Sequence, residues 1–144
     1  MTVIFSKKCE IGLQAVLYLA TEGKNELFNA RQVADKVKQP KEFVSKVLQT
    51  LTSSGIVGSK KGKNGGFFLA RSAKKVRLIE IVEVIDGLDM FNNCVLGFPG
   101  CTSEEPCPVH DKWGKLREEA YKMLSEETLE DIKDTTRLKI STLQ

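Results

Sequence analysis

Apolar residues recur along this chain at three- and four-residue intervals, interrupted by one pair of short apolar runs around a glycine-rich turn. Over 7–22, Ile11, Ala15, Val16 and Leu19 share one helical face, and Gly23 ends the run. Asn29 is placed to cap a short helix from Ala30 to Val37, and Lys38-Gln39 follows as a turn. Pro40 suits the first position of a third helix, where its missing N–H leaves nothing unsatisfied, and that helix runs to about Ser53 before Ser54-Gly55. Phe43, Val44, Val47, Leu48 and Leu51 form its expected buried stripe, with Lys41, Glu42, Ser45, Lys46 and Gln49 on the other face.

Two short helices joined by a tight turn, the second with a polar face, make a helix-turn-helix. Ile56-Val57-Gly58-Ser59 then reads as a strand, Lys60 to Gly66 as a turn, and Phe67-Phe68-Leu69 as the return strand. Asn64-Gly65 between apolar runs signals a hairpin. A hairpin directly after a helix-turn-helix is a wing, and Lys60, Lys61, Lys63 and Asn64 at its tip can reach phosphates or a minor groove. A further short helix covers 78–86 and stops at Gly87. The segment 92–109 has no period and contains three prolines and two glycines, so it reads as a loop. A long helix follows from His110 to about Ser125. Its narrow seam of Trp113, Leu116, Ala120 and Met123/Leu124, flanked by charges, suits pairing with the same helix of a second copy.

The expected fold is therefore mainly α with a small β-hairpin wing: a winged helix-turn-helix plus a long dimerisation helix. The expected organisation is a DNA-binding unit over 1–87, a cysteine-rich loop over 88–109, and a dimerisation helix with a C-terminal tail over 110–144.

Charge supports a polyanionic partner. Residues 1–80 carry 15 Lys/Arg against 6 Asp/Glu, whereas 81–144 carry 7 against 13, and the overall charge is only +3. A basic first half suits double-stranded DNA. No run of apolar residues approaches a membrane span, and the N-terminus lacks the apolar core of a signal peptide, so the expected location is the cytoplasm with no membrane partner. No phosphate-binding loop or base–nucleophile pair occurs, and His110 is the single histidine, so an enzyme is not expected.

Candidate metal chemistry lies in the loop. Cys94, Cys101 and Cys107 with His110 form C-x6-C-x5-C-x2-H. Thiolates are soft donors that suit iron–sulfur clusters or zinc. A structural zinc site usually contains a tight C-x2-C or C-x4-C pair, which this loop lacks. Three readings stand at this level: an iron–sulfur cluster, a structural zinc in a Cys3His site, and three unrelated thiols, with a cluster-free thiol redox switch as a variant that uses the same cysteines. Cys9, near the start of the first helix, reads as a small buried hydrophobe, with a redox-active thiol as the alternative.

In combination these features resemble the winged-helix iron–sulfur regulators that include IscR and NsrR. The resemblance is carried by Ile11-Gly12-Leu13-Gln14-Ala15, Phe43-Val44-x-x-Val47-Leu48-x-x-Leu51 and Lys61-Gly62-Lys63-Asn64-Gly65-Gly66-Phe67. It continues through Ile81-Val82-x-x-Ile85-Asp86-Gly87, the three-cysteine loop, Trp113 and Thr128-Leu129-Glu130-Asp131-Ile132. It implies a homodimer that binds a DNA operator, expected to be a repressor, with a cluster held by Cys94, Cys101 and Cys107. His110 matches the histidine of IscR-like members, implying 2Fe-2S. Glu10 matches a carboxylate that some NsrR-like members supply from the other subunit, implying 4Fe-4S and nitric oxide sensing. His110 is preferred because it lies beside the third cysteine and needs no second subunit. One departure is Lys60-Lys61 where the family often carries Arg before the wing glycine, which replaces a planar fork by a point charge. In this reading Lys41, Glu42, Ser45, Lys46 and Gln49 face the major groove, and Lys60, Lys61, Lys63 and Asn64 hold the backbone or minor groove.

Overall fold

The computed structural model describes residues 4–23 and 25–144. Met1, Thr2, Val3 and Lys24, which fall within the expected 1–87 unit, lie outside the described residues. The elements are α1 (Lys7–Glu22), α2 (Ala30–Val37), α3 (Lys41–Thr52), β1 (Val57–Lys60), β2 (Gly66–Leu69), α4 (Leu78–Ile85), a 3-10 turn (Asp89–Phe91), α5 (His110–Glu126) and α6 (Leu129–Ser141).

Caps fix the first helices. The Ser6 hydroxyl accepts from the Cys9 N–H at 3.1 Å, which starts α1. Asn29 and Gln32 exchange side chain-to-backbone bonds at 2.8 Å each, a capping box that starts α2. Lys38 adopts left-handed backbone (φ 56°) to close α2 and turn the chain toward α3. Pro40 sits one position before its expected place: it is the cap of α3 rather than its first helical residue, in extended backbone at φ −60° and ψ 132°.

The core gathers one face from each of these elements. Ile11, Val16 and Leu19 of α1 meet Val33 and Val37 of α2, and Val44, Val47, Leu48 and Leu51 of α3. Ile56, Val57 and Leu69 of the wing base and Ile81 of α4 join them. Burying side chains of this size stabilises by ~1.5–3 kcal/mol each before entropy is subtracted. Gly12 marks the tightest crossing, for a Cβ there would meet Ile85 Cδ1 at 2.3 Å and Val47 Cγ1 at 2.7 Å.

The wing is an antiparallel pair in the register Val57–Leu69, Gly58–Phe68, Ser59–Phe67 and Lys60–Gly66, so each strand lies one residue later or longer than the apolar runs suggest. Gly62, at φ 108°, and a Gly65 N–H to Gly62 carbonyl bond of 3.1 Å shape the five-residue tip. Phe28, just before α2, bridges Phe67 and ties the wing to the helix-turn-helix.

Two expectations are corrected. Phe43 is not part of the buried stripe; it is 56% exposed, while Val44, Val47, Leu48 and Leu51 are buried as expected. The residues read as a C-terminal tail form α6, which Thr128 and Asp131 cap reciprocally. This helix returns to α1: Leu129 is fully buried in the common core, and the Arg137 guanidinium donates to the Thr21 carbonyl at 2.8 Å. Helix α5 matches its expected span, with Leu116 (61% exposed) and Met123 (55%) uncovered along its seam and Leu124 buried. No helix among the described residues is long and apolar enough to cross a membrane.

Candidate nucleic-acid interface and thiol cluster

The polar face of α3 and the wing tip present the expected set to solvent. Lys41, Glu42, Lys46 and Gln49 are exposed and Ser45 is half-buried, with the Gln49 amide donating to the Ser45 hydroxyl at 3.2 Å. Lys60, Lys61, Lys63 and Asn64 are all exposed. Packing of the opposite α3 stripe into the core fixes this face outward. It carries five ammonium groups and one carboxylate, a balance that suits phosphates. An exposed Phe43 sits among these polar residues, outside the buried stripe that its sequence position suggests.

The cysteine loop runs between α4 and α5. At its start, Asp86, the cap of α4, accepts from the Ser6 N–H at 2.9 Å and from the Ser6 hydroxyl, joining the end of α4 to the start of α1. At its end, the Trp113 indole N–H donates to the Asn93 carbonyl at 2.9 Å, clasping the loop to α5. Gly97 (φ 80°) and Gly100 (φ 69°) supply the left-handed turns that fold the chain back on itself.

This folding brings three thiols together. The sulfurs of Cys94, Cys101 and Cys107 lie within 4.8 Å of one another, and the Cys94 and Cys107 sulfurs are 3.5 Å apart. The Cys107 N–H donates to the Cys101 sulfur at 3.4 Å. His110, the first residue of α5, places Nδ1 3.2 Å from the Cys101 sulfur, at the edge of the triangle rather than among its mutually close atoms. Glu10 lies in the first turn of α1, 4.0 Å from the Lys7 ammonium, and is likewise outside that set.

The electrostatics differ among the cysteines. Desolvation pushes the Cys94 thiol up, but the Phe98 N–H, the Cys107 thiol and the Leu96 N–H outweigh it and bring it down to about 7. Cys107 is raised above the usual thiol value by desolvation and by its two thiol neighbours, against the Val109 N–H. Cys9 is fully buried, and burial, with the nearby Asp86 and Glu10 carboxylates, pushes it up to about 12, which fits its expected role as an inert core residue.

The donor set could hold an iron–sulfur cluster: three convergent soft thiols, one with its pKa lowered to about 7, with an imidazole adjacent and backbone N–H groups directed at sulfur. Zinc would accept the same atoms. A thiol pair 3.5 Å apart also needs little movement to reach the ~2.0 Å of a disulfide.

Sequence reasoning missed the link at the far end of α5. The Arg77 guanidinium donates to the Ser125 and Glu126 carbonyls at 3.2 and 3.1 Å, satisfying the end of that helix. Arg77 also forms a bridge with Thr128, and the Leu78 N–H bonds the Glu127 carbonyl at 3.1 Å. The segment that leaves the wing is thus pinned to the elbow between α5 and α6.

Residues 5–135 match the family model described as "Rrf2: Iron-dependent Transcriptional regulator". The HTH-type transcriptional regulator NsrR of Bacillus licheniformis is 32% identical over 127 residues, covering 85% of this chain and 87% of that protein. Among solved structures, CymR (YrzC), the global cysteine regulator of B. subtilis, superposes with a TM-score of 0.75 at 19% identity, covering 93% of this chain and 98% of that one. IscR of T. potens superposes at 0.70 with 22% identity, covering 92% and 85%. At these identities the two structures establish the winged-helix fold.

Proposed function

The chain belongs to the Rrf2 family of transcriptional regulators, and from that premise we propose that it binds a DNA operator as a homodimer under the control of an iron–sulfur cluster. Members of this family are regulators and not enzymes. The observation that carries the reading is the convergence of the Cys94, Cys101 and Cys107 sulfurs within 4.8 Å on the loop between α4 and α5. Cys94, Cys101 and Cys107 hold three cluster positions. His110 holds the fourth in the preferred version, with 2Fe-2S; Glu10 of the partner subunit holds it in the alternative, with 4Fe-4S. When bound, the cluster supplies a site that oxidants, nitric oxide or iron shortage alter.

In this reading Lys41, Glu42, Ser45, Lys46 and Gln49 read base edges in the major groove. Lys60, Lys61, Lys63 and Asn64 hold the phosphate backbone or minor groove. The exposed seam of α5 pairs with its copy, setting the spacing of two half-sites. Three links carry a change of loop order to the reading head. Asp86 grips the start of α1, Trp113 grips Asn93, and Arg77 joins the end of α5 to the chain leaving the wing. A coupling of ~1–3 kcal/mol would change operator affinity 5- to 150-fold.

Anaerobic purification, a UV–visible spectrum, and iron, sulfide and zinc analysis test the reading. Visible absorbance with matched iron and sulfide supports it, and the band shape separates 2Fe-2S from 4Fe-4S. A colourless protein with stoichiometric zinc refutes the cluster in favour of a structural metal. The 3.5 Å contact between the Cys94 and Cys107 sulfurs favours a second reading, a cluster-free thiol switch, which a metal-free protein with reductant-dependent DNA binding would establish.

A further inference from the structure

We propose that Phe43 and the first turn of α1 form an additional strip of the DNA interface. In it the Phe43 ring packs against a thymine methyl group in the major groove, and Lys7 and Lys8 take the flanking phosphates. The proposal rests on the DNA-binding reading above and adds a specificity-determining residue to it.

Phe43 is the second residue after the start of α3, between Glu42 and Lys46 on the face directed away from the core, and it is 56% exposed. Its neighbours make an open groove of about 350 Å³ lined by Lys7, Lys8, Ile11, Phe43, Lys46 and Val47. The apolar floor comes from Ile11, Phe43 and Val47. The rim carries three ammonium groups and no carboxylate; the nearby Glu10 carboxylate lies 4.0 Å from the Lys7 ammonium, a long contact between a mostly exposed and a partly exposed side chain.

This combination selects the occupant. An exposed phenylalanine beside groove-facing polar residues needs an apolar contact, and in the major groove the thymine C5 methyl is the apolar group that base edges present. The three ammonium groups around it need anions, which duplex backbone supplies on either side of the groove. Lys7 and Lys8 enter because α1 begins beside the first turns of α3, so the helix start lies along the same surface.

The test uses duplexes enriched by the protein from a random-sequence library, with each thymine replaced in turn by deoxyuridine. That swap removes one methyl and keeps the pairing edge. Wild type is expected to lose roughly fourfold in affinity at one position per half-site, the value of one buried methyl group. Phe43→Ala binds the thymine duplex more weakly by a similar factor and is indifferent to the swap, while Phe43→Leu retains part of the sensitivity. Lys7→Gln and Lys8→Gln each flatten the slope of log affinity against log salt by about 1. Wild type indifferent to every swap, or Phe43→Ala with the wild-type ratio, overturns the methyl contact; unchanged salt slopes overturn the phosphate contacts. If a second copy covers Phe43 instead, Phe43→Ala changes the sedimentation of the free protein and leaves the ratio intact, which also overturns it. Failure to enrich any duplex sinks the DNA-binding reading itself, and the proposal with it.

Discussion

In the cluster-free protein, Cys94 and Cys107 should react with a small disulfide reagent in an order set by pH. With its pKa near 7, Cys94 is half thiolate at pH 7. A thiol of equal access at the ordinary value of 9.0 is thiolate to about 1%, so Cys94 has about fifty times the reactive form. Nucleophilicity falls with pKa at a Brønsted coefficient of ~0.4–0.5, which takes back about eightfold over two units. The net advantage at pH 7 is about sixfold. At pH 9 the thiolate ratio shrinks to about two while the eightfold handicap remains, so Cys94 becomes about fourfold slower than the ordinary thiol. Its rate should therefore level off just above pH 7, whereas Cys107, raised above the usual value, keeps accelerating. Cys9, fully buried, stays unmodified while the fold is intact. Stopped-flow exchange with peptide mapping of the first-modified site reads all three. A Cys94 rate that climbs tenfold per pH unit through pH 8, or Cys107 modified first at pH 7, would refute the argument that the Phe98 and Leu96 N–H groups stabilise the Cys94 thiolate.

Further outcomes follow from packing and charge. Leu129→Ala removes a fully buried side chain that anchors α6 in the core and should cost ~2–5 kcal/mol in denaturant unfolding. Glu80 is desolvated, yet the Arg77 N–H and the Arg71 guanidinium at 2.8 Å hold its carboxyl below the usual 4.5. Its contribution is complete above that ordinary value and is lost as pH falls through the lowered one. Glu80→Gln should therefore lower Tm by a few degrees at pH 7, about 1 kcal/mol after allowing for partial exposure, and flatten the acid limb of the stability curve. Gly65→Ala would put a Cβ 1.9 Å from the Lys60 carbonyl oxygen, so the wing tip must rebuild; DNA affinity should fall while Tm changes little.

Much of the fold was legible because local chemistry and period agree in it. Asn29 before α2, Gly23 after α1 and Gly87 after α4 each mark a boundary that the structure keeps. Helix α6 looks like a tail in sequence because its few apolar residues are spread among charges. Its start was nonetheless written in the chain, since Thr128 followed three residues later by Asp131 is a capping pair ahead of Leu129. Phe43 joins the expected stripe only through adjacency to Val44. At about 100° per residue, the stripe of Val44, Val47, Leu48 and Leu51 is centred about 90° away from position 43, so helical arithmetic alone would have moved Phe43 off the buried face.

The candidate site divides along the same line. That three cysteines in one aperiodic loop belong together follows from composition, and the sulfurs do meet. Which atoms pair does not follow, because the path between them is set by left-handed turns at Gly97 and Gly100, whose direction no periodic pattern encodes. The contacts around the loop are harder still. Ser6 meets Asp86 across 80 positions and Arg77 meets Ser125 across 48, and neither pair leaves a local signal. Such long-range contacts exist only after α1, α4 and α5 have packed, which is also why they can report on that packing. Under the proposed reading, a change of order in the loop would act on Asp86, bonded to Ser6 at the start of α1, and on α5, bonded at its far end to Arg77 after the wing. The residues that would transmit a signal are therefore the least visible in sequence, and the ones that would bind it, three thiols within fourteen positions, the most visible.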